Sequence, residues 1–137
     1  MRLLVPREHT RLELYRKLQA RFADSPHIEP VLDSLESQGS LNDERFLQEY
    51  LIVRKRKGYG PLRIKAELQD RGISSGLIAS HLEEQDADWY QLMQQAAEAK
   101  VGKPVENDHK SQQKLARFLE YRGFPVSMIR RYLWDRD

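Results

Sequence analysis

Slid along itself by 51 residues, the chain meets its own pattern: Ile64 falls on Leu115, Leu68 on Leu119, Arg71 on Arg122, Gly72 on Gly123, Ile73 on Phe124, Ile78 on Ile129 and Leu82 on Leu133. An offset of 50 in the other direction puts Leu14, Leu18, Arg21, Ile28 and Leu32 under Ile64, Leu68, Arg71, Ile78 and Leu82. Two registers that share the same apolar and arginine positions mark an internal repeat. Units of this size bury their apolar faces only against their own helices and their neighbours. We read three units, residues 1–39, 40–86 and 87–137, and expect an all-α protein of three tandem three-helix repeats in an elongated array. Only 39% of the 137 residues are apolar, too few for one thick core, so the radius of gyration should exceed the roughly 14 Å of a compact chain of this length.

The middle unit shows how each repeat is built. Asn42 is placed as a helix N-cap, with Asp43 and Glu44 in the first turn and Leu41 stapled to Phe46 across the cap. Phe46, Leu47, Tyr50, Leu51 and Val53 form the expected buried stripe. The run from Arg54 to Lys57 then falls in the last turn, where cations complement the negative end of the helix, and Gly58 ends it. Gly60-Pro61 starts a second helix to about Arg71, because proline at the first helical position loses only an amide that would be orphaned anyway. Gly72 stops that helix, and Ile73-Ser74 caps a third that reaches about Glu84.

In the first unit helices are expected near 11–22 and 25–38, with Asp24 as a cap. In the third they are expected near 88–101, 111–122 and 126–134, with Gly102 to Asp108 as a linker. The opening helix of the first unit is abbreviated: mapped back by 50 residues it would start before Met1 and contain Pro6. Trp89, Tyr90 and Tyr121 are expected in the core.

A formal net charge of +2 conceals opposing blocks. Residues 1–21 sum to +4 (six basic, two acidic), 24–49 to −6 (one and seven), 54–71 to +5 (seven and two), 83–90 to −4, and 110–136 to +5 (seven and two). Such segregation serves solvated helix faces, or a basic surface that meets phosphates or an acidic partner.

Chemistry is excluded on several counts. Without cysteine there is no disulfide, thiolate nucleophile or cysteine-held metal, which suits a reducing, cytoplasmic setting. The histidines, His9, His27, His81 and His109, are scattered without ligand spacing. Gly58-Tyr59-Gly60-Pro61 lacks the lysine and hydroxyl residue of a phosphate-binding loop and follows no strand. No nucleophile, cofactor, small-molecule substrate or membrane span is expected. A helix-turn-helix DNA reader is the alternative, but the segment from Ser75 to His81 offers no Arg, Asn or Gln to read base edges. A scaffold for some other protein is a third reading.

The stretches LNDERFLQEYLIVRKRKGYGPLRIKAELQDRGIS, DWYQLMQQAAEAK and KLARFLEYRGFPVSMIRRYL, in this order and over nearly the whole chain, resemble the bacterial RecX regulatory proteins, and REHTRLELYRKL resembles their first repeat. The resemblance implies tandem three-helix repeats and a monomer that binds the RecA recombinase filament. It also implies that the protein inhibits the filament's recombinase, ATPase and co-protease activities, and so modulates recombination and the SOS response, with nonspecific binding of single- or double-stranded DNA as a further property. The expected partner-binding residues are Arg54, Arg56, Lys57, Tyr59, Arg63 and Lys65 in the middle unit, and Lys114, Arg117, Arg122, Arg130 and Arg131 in the last. Tyr59 serves equally well as packing for the corner.

Overall fold

The computed structural model describes residues 8–83, 87–102 and 108–135. Among them are eight α-helices and no strand: α1 Arg11–Arg21, α2 Ile28–Ser37, α3 Asp43–Arg56, α4 Pro61–Asp70, α5 Ser75–His81, α6 Ala87–Val101, α7 His109–Arg122 and α8 Val126–Leu133. They form the tandem array anticipated, α3–α5 and α6–α8 as full three-helix units and α1–α2 as the remainder of the first. The opening helix expected for the first unit, and most of the expected linker, lie outside the described residues.

Local rules govern the helix ends of the middle unit. The Asn42 side chain accepts from Arg45 N at 3.0 Å, Pro61 stands in the first turn of α4, and the Ser74 hydroxyl accepts from Leu77 N at 3.2 Å. Gly58 and Gly72, both at φ +89°, end the helices before them. The first unit departs from its template. Its connection, residues 22–27, is two residues longer than its counterpart at 71–74, so α2 starts later than expected. Asp24 sits at φ +61° inside that connection and caps nothing.

The buried residues fall into two clusters. The larger runs without a break from the middle unit (Phe46, Leu47, Ile64, Leu68, Ile73, Ile78, Leu82) into the last (Trp89, Met93, Ala97, Leu115, Leu119, Phe124, Ile129, Tyr132, Leu133). The smaller consists of Ile28, Leu32 and Leu41 under half-buried Leu14, Tyr15, Leu18 and Leu35. Leu41 thus packs with the first unit and is no staple for Phe46. Val53 and Tyr121 also leave the expected core, 42% and 74% exposed. Tyr121 lies on the face of α7 opposite the buried Leu115 and Leu119.

One junction geometry is used twice. The N-terminus of α4 abuts the C-terminus of α7: Gly60 N donates to Arg122 O at 2.7 Å and Leu62 N to Gly123 O at 2.9 Å. Orphan donors of one helix thereby satisfy orphan acceptors of the other, with the dipoles in series. The approach is close enough that a Cβ on Gly60 would lie 2.5 Å from Gly123 C and O. Fifty residues earlier the N-terminus of α1 meets the C-terminus of α4. There Thr10 caps α1 through Glu13 N and donates its hydroxyl to Arg71 O at 2.6 Å, Arg11 N donates to Asp43 Oδ1 at 2.8 Å, and a Cβ on Gly72 would meet Leu12 Cβ at 2.5 Å. The repeat found in the sequence is therefore also the repeat of the contact between units.

Candidate partner-binding site

The basic run and the tight corner after it converge where the middle and last units meet. Because α3 ends at Arg56 and α4 starts at Pro61, Tyr59 is carried on the short turn between them, half-buried. Three guanidinium groups surround its ring, with Arg54 Cζ 3.8 Å, Arg122 Cζ 4.6 Å and Arg63 Cζ 4.7 Å from the centroid. Such stacking is worth about 0.5–2 kcal/mol per pair, more as the pair is desolvated. Tyr59 therefore packs the corner.

Glu67, on α4, binds this cluster together. Its carboxylate accepts from Arg54 Nη2 at 2.7 Å and Nε at 3.0 Å, from Tyr50 Oη at 2.7 Å and from Arg63 Nε at 3.2 Å. Burial alone pushes the Glu67 carboxyl up, but the hydrogen bonds from Arg54, Tyr50 and Arg63 outweigh it and hold its pKa below the ordinary carboxylate value. The Tyr50 hydroxyl is pushed up, by burial first and then by its bond to the Glu67 carboxylate. The hydrogen bond to Glu67 likewise raises Arg63. Arg122 closes the arrangement from the far side, donating to Lys57 O at 2.8 Å and so covering an open carbonyl at the end of α3.

Against this brace lies a cleft of about 430 Å³ between the end of α3 and the facing sides of α6 and α7. Its floor is Leu92, Ala96, Ala99 and Phe118, and its cations are Lys55, Arg56, Lys57, Lys100 and Arg122, with no carboxylate in the lining. Lys55 is neutralised by Asp88 at 3.0 Å and lies 4.6 Å from the Trp89 ring. Lys100 lies 5.1 Å from the Phe118 ring. Arg56 and Lys57 are exposed and have no ion-pair partner among the described residues. An apolar floor under a rim of unpaired cations suits an acidic segment that also carries an apolar side chain, or a phosphate-bearing chain.

The eleven residues expected at the partner surface thus separate. Arg54, Tyr59, Arg63 and Arg122 are brought together, but their contacts are internal and they hold the surface in shape. Arg56 and Lys57 face the cleft. Lys65 on α4, Lys114 and Arg117 on α7, and Arg130 and Arg131 on α8 are exposed outside its lining, Arg131 lying 4.7 Å from the Tyr90 ring. Sequence reasoning missed Glu67, Lys100 and Phe118. Phe118 and Lys114 stand four and eight residues before Arg122 on one side of α7, so helical spacing could have pointed to Phe118, and Glu67 stands four residues after Arg63 on α4, a spacing that pointed to that pair but not to Arg54 or Tyr50; Lys100 carried no local signal. The short helix a helix-turn-helix protein would insert, α5, presents exposed Ser75, Gly76, Ala79 and Ser80.

Comparison with known proteins matches residues 42–82 to the second three-helix domain of RecX and residues 86–133 to the third. The regulatory protein RecX of Pseudomonas putida strain GB-1 is 42% identical over 137 residues, all of this chain and 88% of that protein. RecX of Ectopseudomonas mendocina is 39% identical, over all of this chain and 91% of its own length. In three dimensions the chain is similar to the crystal structure of RecX from Lactobacillus salivarius, with a TM-score of 0.72 at 20% identity, covering 89% of this chain and 81% of that one.

Proposed function

The chain belongs to the RecX family of regulatory proteins, and on that premise we propose that it binds the RecA filament and restrains its recombinase, ATPase and co-protease activities. It acts by contact and not by catalysis, and so modulates recombination and the SOS response. The observation that carries the assignment of the contact surface is the cleft at the junction of the last two units, with its apolar floor, unpaired Arg56 and Lys57, and no acid in the lining. An acidic surface of a filament protomer is the complementary shape and charge. Several units in series let modest contacts on adjacent protomers add, and a chain that bridges protomers opposes the rearrangements that accompany turnover. The cations of the cleft, together with the exposed lysines and arginines outside it, give a secondary, sequence-indifferent attraction for nucleic-acid phosphates.

The direct test is RecA-catalysed ATP hydrolysis on single-stranded DNA. Substoichiometric amounts of this chain should lower the steady-state rate. An unchanged rate at saturating chain, with no binding of the chain to filaments by co-sedimentation, contradicts the proposal.

A further inference from the structure

α7 carries a second basic surface that the cleft does not use. Lys110, Lys114, Arg117 and Tyr121 succeed one another at intervals of four, three and four residues, which places them along one stripe of the helix. All four are exposed, and the three cations have no ion-pair partner among the described residues. Glu120, the one acid of α7, is one residue from Tyr121 and therefore about 100° round the helix.

The stripe ends on a ring that is exposed and touches a guanidinium. Tyr121 is 74% exposed, yet Arg63 Cζ lies 4.9 Å from its centroid. Arg63 Nη1 also donates to the carbonyl of Tyr121 at 3.2 Å, while Glu67 restrains the same guanidinium at 3.2 Å. A ring that touches a guanidinium and is still 74% exposed keeps open surface on which a second planar group can stack.

We infer that this stripe is a track for a single-stranded nucleic acid, with Lys110, Lys114 and Arg117 along the phosphates and a base stacked on Tyr121. Cations spaced along a groove attract single strands and duplexes alike, but only an unpaired base offers its face to an aromatic side chain. The track therefore prefers a single strand, and Tyr121 sets the preference. The ring's companions on this face are cations, whereas an anchor for a protein partner sits at the apolar centre of its patch. The inference deepens the phosphate attraction proposed above and rests on it.

Fluorescence anisotropy with a labelled oligodeoxythymidylate and a duplex of equal length, titrated with the full chain across a salt series, tests the two separately. Salt-dependent binding reports the attraction, and the difference between the two probes reports the track. The parent should favour the single strand. Tyr121→Ala should weaken single-strand binding about tenfold and leave duplex binding unchanged, Tyr121→Trp should retain the preference, and Lys114→Gln with Arg117→Gln should weaken both probes and flatten the salt dependence. Since Tyr121 is exposed, the circular dichroism of these variants should match the parent. Equal affinity of the parent for both probes, or unchanged single-strand affinity in Tyr121→Ala, overturns the inference while leaving the attraction standing. Absence of binding to either probe overturns both. A Tyr121→Ala variant that binds the oligonucleotide normally but inhibits RecA poorly assigns the ring to a protein surface and also overturns it.

Discussion

The two junctions between units share a geometry and differ in what holds them. Where the middle unit meets the last, main chain bonds to main chain, Gly60 to Arg122 and Leu62 to Gly123, and one apolar cluster continues through the contact. Where the first unit meets the middle, side chains make the contact: the Thr10 hydroxyl, the Asp43 carboxylate, and an ion pair between Arg71 and Glu13 at 2.5 Å. The apolar clusters on either side of it are separate. A repeat thus fixes how successive units approach, while each junction's own residues decide how firmly they stay. The second junction should unfold only with its two units, and the first should open on its own.

The largest effect is expected from Gly60→Val. Gly60 has an ordinary φ of −94°, so the cost is steric, yet the atoms in the way are main-chain atoms of Gly123 that cannot step aside. A loss of about 3 kcal/mol or more should appear in denaturant titrations of the whole domain. Gly72→Ala probes the equivalent place in the first junction. There the nearest atom is Leu12 Cβ, which no rotation of that side chain moves, so α1 itself must shift, as the side-chain-held first junction allows, and to that is added the left-handed backbone at about 1–2 kcal/mol. Equal losses in the two variants would contradict the distinction between the junctions.

Thr10→Val sharpens the comparison. It removes a cap and the buried bond to Arg71 O at a fully buried position, worth about 1–2 kcal/mol. The loss should be local: hydrogen exchange should accelerate in α1 and α2 and stay unchanged in α4 and α7.

Acid should act on the middle unit through Glu67. Because its folded pKa is lowered, its contribution is fully present above its unfolded value near 4.5 and is lost as the pH falls through the lowered folded value. Glu67→Gln should cost about 1 kcal/mol at neutral pH and should remove that part of the acid-induced loss, measured as the difference between parent and variant in denaturation midpoint along a pH series. Parallel curves for the two proteins would sink this role.

What could be read from the sequence follows the range of the interaction. Asn42, Pro61, Gly72 and Ser74 act on their immediate neighbours, and local rules placed them correctly. The repeat itself was legible because apolar spacing survives in each unit. Arg54 was not legible as an internal brace, because its partner Glu67 is thirteen residues away on another helix and only the packing of α3 on α4 brings them to 2.7 Å. Leu41 was assigned to the wrong cluster for the same reason: it lies between two units, and nothing local says which of them covers it. Tyr121 was expected inside because aromatics usually are. Its place on the outer face of α7 was implied by Leu115 and Leu119, which fix the inner one. The contact of Gly60 with Gly123 had no local signature, although both glycines were already known as helix ends.

The cleft between the last two units is the surface proposed to restrain RecA, and its cations are the place to test it. The most direct measurement is a titration of RecA ATP hydrolysis on single-stranded DNA with the parent and with Arg56→Gln, Lys57→Gln and Lys100→Gln combined. These exposed side chains make no described ion pair, so the variant's stability should stay within about 0.5 kcal/mol of the parent's. The folded variant should need at least about tenfold more protein for the same inhibition, the loss of roughly 1.4 kcal/mol of binding. A variant that is equally stable and inhibits as well as the parent would contradict it and return the basic rim to the role of a solvated helix end.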